Sequence, residues 1–230
     1  MISILLGSRG RPEQFRRMVE SFLSNMKNPS VVEFVVYLDD DDPSLNSYLD
    51  IADDYMQVRA LVKPRAETMS SMTNECFKIS RGQILMMGAD DLECKAKNWD
   101  EQVRNVFSLY NDEIVLVYCS DGHWGSAFSS HPFTSRKAAE ILGEVCDGRY
   151  HHAYADRAVW DMYSHLGRTY YLPIEIRHNH HNYNERPFDD TDKFQKENFD
   201  KYRPDLLYLR SSTLIIEKAN KLHQYMENPN

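Results

Sequence analysis

The feature that most constrains this chain is an alternation in its first half between short apolar runs and segments with helical spacing. "ISILLG" (2–7), "EFVVYLD" (33–39), "VRALVK" (58–63) and the run over 83–90 are strand-length, and the first is apolar enough for a strand buried on both faces. Between them, "RPEQFRRMVESFLSNM" sets Phe15, Met18, Val19, Phe22, Leu23 and Met26 along one helical face, with Pro12 in a first turn that tolerates it. Thr68 to Ser80 repeats the pattern with Met69, Met72, Cys76 and Ile79, and Gly82 follows as a helix stop. Strands alternating with helices imply an α/β fold: a mostly parallel sheet covered by helices on both faces.

The second half is less regular. Residues 98–110 are amphipathic, 113–121 ("EIVLVYCSD") read as a buried strand, and "SRKAAEILGEV" and "YADRAVWDMYSHLG" read as helices. "TYYLPIEIRHNHH" (169–181) is strand-like, with Pro173 marking an edge position or a break. Residues 182–210 are polar and turn-rich, and "STLIIEKANKLHQYM" closes the chain as a last amphipathic helix. Without repeats or a low-complexity linker, the 230 residues read as one domain.

Composition narrows the function classes. A net charge of −8 disfavours a protein that lives on phosphate-backbone contacts, so a nucleic-acid partner is possible but not indicated. An acidic chain can still bind a small diphosphate where a divalent metal offsets the charge. The apolar runs are too short for stable membrane insertion, and the N-terminus lacks the basic flank of a signal peptide. Cys76, Cys94, Cys119 and Cys146 stand singly, which points to a reducing, cytoplasmic setting.

In parallel sheets ligands sit outside the carboxyl ends of the strands. Here those ends carry Ser8-Arg9-Gly10-Arg11, Asp39-Asp40 and Asp90-Asp91, a polar rim that packing alone does not require. Asp90 and Asp91 are natural ligands for Mg2+ or Mn2+, or else one caps a helix while the other is solvated. In "RHNHH" strand alternation puts His178 and His180 on one face and His181 on the other, either as metal ligands or as ordinary hydrogen-bonded histidines. Asp156 begins a helix, where a carboxylate serves as a cap or, facing a cleft, as a general base. Arg9, Arg11, Lys63 and Arg65 are basic groups at strand ends that suit a diphosphate, with no P-loop or dinucleotide fingerprint present.

Taken in order, these motifs resemble a family-2-like glycosyltransferase of the GT-A (Rossmann-like) fold, over roughly residues 1–181. "ISILLGSRGRP" is similar to that family's first strand and Arg-x-Arg-Pro turn, "EFVVYLDDDDP" to its second strand, and "MSSMTNECFKISRGQILMMGADD" to the stretch leading into a D-x-D metal motif. "ADRAVW" looks like the later acidic motif that supplies a base in inverting members, and "RHNH" like the terminal histidine segment. Two departures stand out: Gly88 occupies the first position of a strict D-x-D, and Ala155 stands where many members have an acid.

The resemblance implies a metal-dependent transferase that moves a sugar from a nucleoside-diphosphate sugar to a hydroxyl of a glycan, small molecule or other acceptor, with inversion. It implies Ser8, Arg9, Arg11, Asp39, Arg65, Asn74 and Asp90 at the nucleotide-sugar, and Asp91 with His180 and His178 on Mn2+ or Mg2+. Asp156 would be the base, and His123, Trp124 and His131 would lie on the acceptor side. It divides the domain into a nucleotide-sugar half (1–95), an acceptor and catalytic half (96–181) and a C-terminal extension (182–230). The rivals are a metal-dependent nucleotidyltransferase and a catalytically silent nucleotide-sugar-binding module.

Overall fold

A computed structural model describes residues 1–150, 154–183, 185–194, 196–197 and 213–228. Strands β1 (Ile2–Ser8), β2 (Val32–Asp39), β3 (Val58–Lys63) and β4 (Ile84–Met87) alternate with helices α1 (Pro12–Asn25), α2 (Leu45–Asp54) and α3 (Met69–Ile79). There follow β5 (Leu92–Cys94), α4 (Trp99–Phe107), β6 (Leu116–Ser120), β7 (Phe133–Ser135), α5 (Arg136–Leu142), α6 (Ala155–His165) and β8 (Thr169–His178). A last helix, α7, covers Thr213–Glu227. The eight strands run in the order β3-β2-β1-β4-β7-β6-β8-β5. The first four are mutually parallel, β7 is antiparallel to both its neighbours, β6 and β8 are parallel, and β5 is antiparallel to β8.

Side chains alternate across this sheet with the period of two that a pleated strand imposes. Ile2, Ile4 and Leu6 of β1 and Phe34, Val36 and Leu38 of β2 face one core, against Phe15, Met18, Phe22, Tyr48, Trp99 and Val103 of α1, α2 and α4. Leu5, Val35, Tyr37, Leu85 and Met87 face the other, against α3, α5, α6 and α7. Trp99 is fully buried and spends its one polar atom well, donating its indole N–H to Phe22 O at 3.0 Å. All four cysteines are buried thiols. Among the described residues no helix is long and apolar enough to cross a membrane.

The structure differs from the sequence reading in several places. The strand expected over 83–90 stops at Met87: Gly88 N makes the last backbone bond to β1, and the chain turns at Asp90 and Asp91. Helix α2 and the short strands β5 and β7 have no counterpart in the sequence reading; three-residue strands carry too little periodicity to register. The β8 strand ends at His178, so the alternation expected to place His178 and His180 on one face does not extend to residue 180. His181 opens a 3-10 turn (His181–Tyr183) instead. Pro173 is the expected break: the β6–β8 register slips between Cys119 and Ser120, which pair with Leu172 and Glu175. Of the polar stretch expected over 182–210, residues 184, 195 and 198–210 lie outside the described residues.

Gly88 explains the missing first aspartate. Its N–H donates to Leu5 O at 2.8 Å, and a Cβ here would fall 2.7 Å from Ile4 Cγ2. The chain runs so close beside β1 that a side chain here would have to displace Ile4, which disfavours an aspartate. Gly88→Ala is expected to destabilise the fold by about 1–3 kcal/mol, the usual cost of overpacking; an unchanged urea midpoint would show that β1 yields freely.

Candidate active site

The turn that follows Gly88 carries Asp90 and Asp91 into the rim formed by the carboxyl ends of β1 and β2. Asp90 faces β1: Ser8 Oγ donates to its Oδ2 at 2.6 Å, and Arg11 Nη1 lies 3.6 Å from its Oδ1. Burial, reinforced by the negative charge of Asp91, pushes the Asp90 carboxyl up to about 6. Asp91 faces the other way. Because β5 pairs antiparallel with β8 and Leu92 stands opposite His178, the next backbone bond is Asn179 N to Asp91 O at 3.0 Å. That register delivers His178 Nε2 to 3.2 Å from Asp91 Oδ1. Arg186 Nε donates to the other oxygen, Oδ2, at 3.1 Å.

The electrostatics follow from these contacts. Burial alone would raise Asp91, but the hydrogen bond and charge of His178 outweigh it and hold the carboxyl well below the usual range. Burial would likewise depress His178, and Asp91 raises it instead. His131 completes the cluster from the bend just before β7. Its Nδ1 sits 3.0 Å from Met87 O, an acceptor, so Nδ1 carries the proton and Nε2 presents a bare lone pair. That Nε2 is buried with no hydrogen-bond partner, and the ring stands 4.6 Å from His178, edge to face. Burial drives His131 down to about 3, so it is a neutral imidazole.

The other side of the rim is the end of β2. Asp39, 2% exposed, accepts from Arg9 Nη1 at 3.0 Å and from Ala66 N at 3.3 Å. Arg9 also pairs with Asp41. The intervening Gly10 adopts φ +68, a left-handed turn that directs its N–H to Asp42 Oδ2 at 2.9 Å. Arg65 is exposed and stacks its guanidinium on Phe194 at 4.6 Å.

On the far side, Asp156 lies in the first turn of α6, half-buried, with Oδ1 accepting from Arg157 N at 2.8 Å. Loss of water raises its carboxyl, opposed by hydrogen bonds that include Ser130 and by the nearby His178. His180 packs its ring 5.0 Å from His178, and its Nδ1 accepts from Asn182 N at 3.2 Å. Burial, together with His178 and His181, lowers His180 to about 4. His123 is stitched to the same segment: it stacks on Tyr183 at 3.6 Å, and its Nε2–H reaches His178 O at 2.9 Å and Glu185 at 3.1 Å. Trp124 is 56% exposed beside it, its N–H held by Asp121. Asn74 lies apart from this group. Its amide oxygen accepts from Val145 N at 2.9 Å and its amide nitrogen donates to Cys146 O at 2.8 Å, which spends it on that loop.

No family model and no curated relative matches the sequence. Solved structures do. The mannosyltransferase PcManGT from Pyrobaculum calidifontis, solved with GDP-Man and Mn2+, aligns with a TM-score of 0.64 at 9% identity, over 100% of this chain and 75% of that one. TarS 1-349 of S. aureus in complex with UDP aligns at 0.59 and 10% identity, over 74% of this chain and 57% of that one. The same protein with UDP-GlcNAc aligns at 0.58 and 10%, over 84% and 63%. The chain has the GT-A glycosyltransferase fold. It spans little more than half of the TarS fragment, 57% in the UDP complex.

Within this GT-A fold the structure gathers Ser8, Arg11, Asp90, Asp91, His131, His178 and His180 at one end of the sheet, with Arg9, Asp39 and Arg65 along the rim and Asp156 near His178. The sequence reading missed the segment that closes over them. Arg186 bonds Asp91 and Asp192, Arg11 bonds Asp189 and Asp192, and Thr191 Oγ1 donates to Arg9 O at 3.1 Å. The only signal was the charge in "ERPFDDTD", which reads as a solvated tail until the fold brings it back. Among the described residues no three His, Cys, Asp or Glu side chains stand ready to hold a metal, since Arg186 and His178 take both oxygens of Asp91. Arg11, its side chain 6% exposed, links β1 to this segment. Arg11→Ala strands buried carboxylates and is expected to cost about 3–5 kcal/mol in urea unfolding; a loss below 1 kcal/mol would show that water replaces it.

Proposed function

We propose that the chain transfers a sugar from a nucleoside-diphosphate sugar to an acceptor hydroxyl, with inversion. The observation that carries this reading is the Asp91–His178 pair at the strand ends of a GT-A fold, with the half-buried Asp156 close enough for His178 to act on it. Asp39, Arg9 and Arg65 would bind the nucleoside, and Ser8, Arg11 and Asp90 the region of the diphosphate. His123 and Trp124 border the acceptor side, where an exposed indole suits a sugar face. The acceptor is a glycan, a small molecule or another hydroxyl-bearing compound, and the setting is the cytoplasm.

A divalent cation, Mn2+ or Mg2+, fits the donor chemistry of the site. Asp91 and His178 are a carboxylate and an imidazole in contact, His180 is adjacent, and His131 adds an orphaned neutral nitrogen that a cation would satisfy. When bound, such an ion would supply Lewis-acid neutralisation of the diphosphate leaving group. That PcManGT was solved with GDP-Man and Mn2+ supports the same choice.

The chain's own residues account for the proton. Asp156 takes the proton of the acceptor hydroxyl as its oxygen bonds to the anomeric carbon and the bond to the diphosphate breaks. Partial burial raises Asp156, which makes it the stronger base, and the start of α6 holds it in place. A transferase releases nucleoside diphosphate, whereas the nucleotidyltransferase alternative releases pyrophosphate, and a silent binding module releases neither.

The test is a panel of nucleotide sugars with Mn2+ or Mg2+, scored by released nucleoside diphosphate. Asp156→Asn is expected to cut turnover at least about a hundredfold, the ordinary contribution of a general base, while donor binding persists. The base must be ionised to work, so activity falls as pH drops through its folded pKa. The acid limb of kcat/KM should therefore lie above 3.8, the ordinary aspartate value. An Asp156→Asn protein of full activity would remove the base assignment.

A further inference from the structure

Arg186 and its neighbours do not merely border the donor site; they fill it with matching charges. The Arg186 Nε–H sits on Asp91 Oδ2 at 3.1 Å, where a cation would bind that carboxylate. Its remaining donors are committed to Asp192, through Nη1 at 2.6 Å and Nη2 at 2.8 Å, and to Pro187 O at 3.1 Å. Asp192, whose side chain is 0% exposed, bridges the two arginines, for Arg11 Nη2 reaches its Oδ1 at 2.9 Å. Asp189 takes the fork of Arg11, accepting from Nε at 2.7 Å and Nη2 at 2.5 Å. A carboxylate on a guanidinium fork has the same geometry as a phosphate on that fork.

We propose that residues 186–192 form an autoinhibitory strap that mimics the donor complex. Arg186 stands in the cation's place on Asp91, and Asp189 and Asp192 stand in the diphosphate's place on Arg11. This rests on the donor reading of the same cleft. The strap is built to be exchanged. Among its described residues only Asp192 is buried, and Phe188 is 54% exposed, so charge rather than apolar packing holds it down. A segment with few apolar contacts opens ahead of the core once entering ions take over its buried charges. A cation on Asp91 and a diphosphate on Arg11 can replace its charged bonds to those two residues, so the cleft keeps its charge balance when the strap leaves. Its upstream end is fastened separately, through Glu185 to Arg177 Nε at 2.9 Å, so it can lift without detaching from β8.

The consequence is competition between the strap and the donor's two components. The experiment uses the full chain with Mn2+ alone, followed by the resonance of free Mn2+, and with UDP or GDP in chelator, followed calorimetrically. Folded Arg186→Gln is expected to bind Mn2+ at least about fivefold more tightly than the parent, within the range of site-to-site couplings. Lys95→Gln, the same loss of charge at an exposed position just after β5, should not. Asp189→Asn is expected to bind the nucleoside diphosphate at least about fivefold more tightly, and the exposed Asp190→Asn should not. Unchanged or weaker Mn2+ binding in Arg186→Gln overturns the strap, as does an equal gain in either control. Should Arg186→Gln fail to fold, the Asp189 and Asp190 pair decides alone. If neither UDP nor GDP binds any form, with or without Mn2+, the donor reading fails while the Mn2+ arm still decides the strap.

Discussion

Two adjacent carboxylates buried at the end of β4 set the terms for everything around them. Asp90 and Asp91 are 6% and 7% exposed, and a buried like-charged pair is costly unless each member is answered. The fold answers them in opposite directions. Asp90 is met from β1, by the Ser8 hydroxyl and the Arg11 guanidinium, and is driven toward its neutral form. Asp91 is met from β8 and the chain beyond it, by His178 and Arg186, and remains an anion. The split gives the two neighbours different chemistry from one dipeptide. It also obliges three distant segments of the chain to converge on a single turn.

The rest of the architecture makes that convergence rigid. The core on each side of the sheet is formed by strands whose apolar residues alternate strictly, so a slip of one residue in β1 or β2 would turn each core outward. Ser8 and Asp39 occupy the last positions of their strands, where that register leaves them no freedom. Gly88 lets β4 hand the chain across β1 without a side chain in the way. The rim is therefore a product of packing first and polar chemistry second.

Much of this is legible in the sequence, and the illegible part has a physical cause. The parallel half follows from apolar runs and helical spacing, since both periods persist long enough to be counted: "VRALVK" is β3 residue for residue, and Thr68 caps α3. The GT-A fold followed from the order of weak motifs. Contacts made by antiparallel pairing over three residues left no such trace. Nothing in "LEC" announces that Leu92 will stand opposite His178, and without that register the link between Asp91 and His178 cannot be read. Asn74, expected at the nucleotide-sugar, ties down the Val145–Cys146 loop with both ends of its amide. His131 was placed on the acceptor side, whereas its ring packs against His178.

The strand β8 changes partners along its length. Its residues up to Glu175 pair with β6, its last three with β5, and Pro173 lies just before the change, where the β6 ladder skips. A proline there sacrifices no hydrogen bond, and it divides one strand into two mechanical units. The first belongs to the β6 ladder, and the second ties the end of β6 to the turn bearing the aspartates, through His178 N to Asp121 O and Asn179 N to Asp91 O, each at 3.0 Å. Fraying of β5 would thus draw Asp91 away from His178, which stays bonded to Asp121 O, and leave the sheet intact, so the histidine's grip on the site and the survival of the fold are separable properties of a single strand.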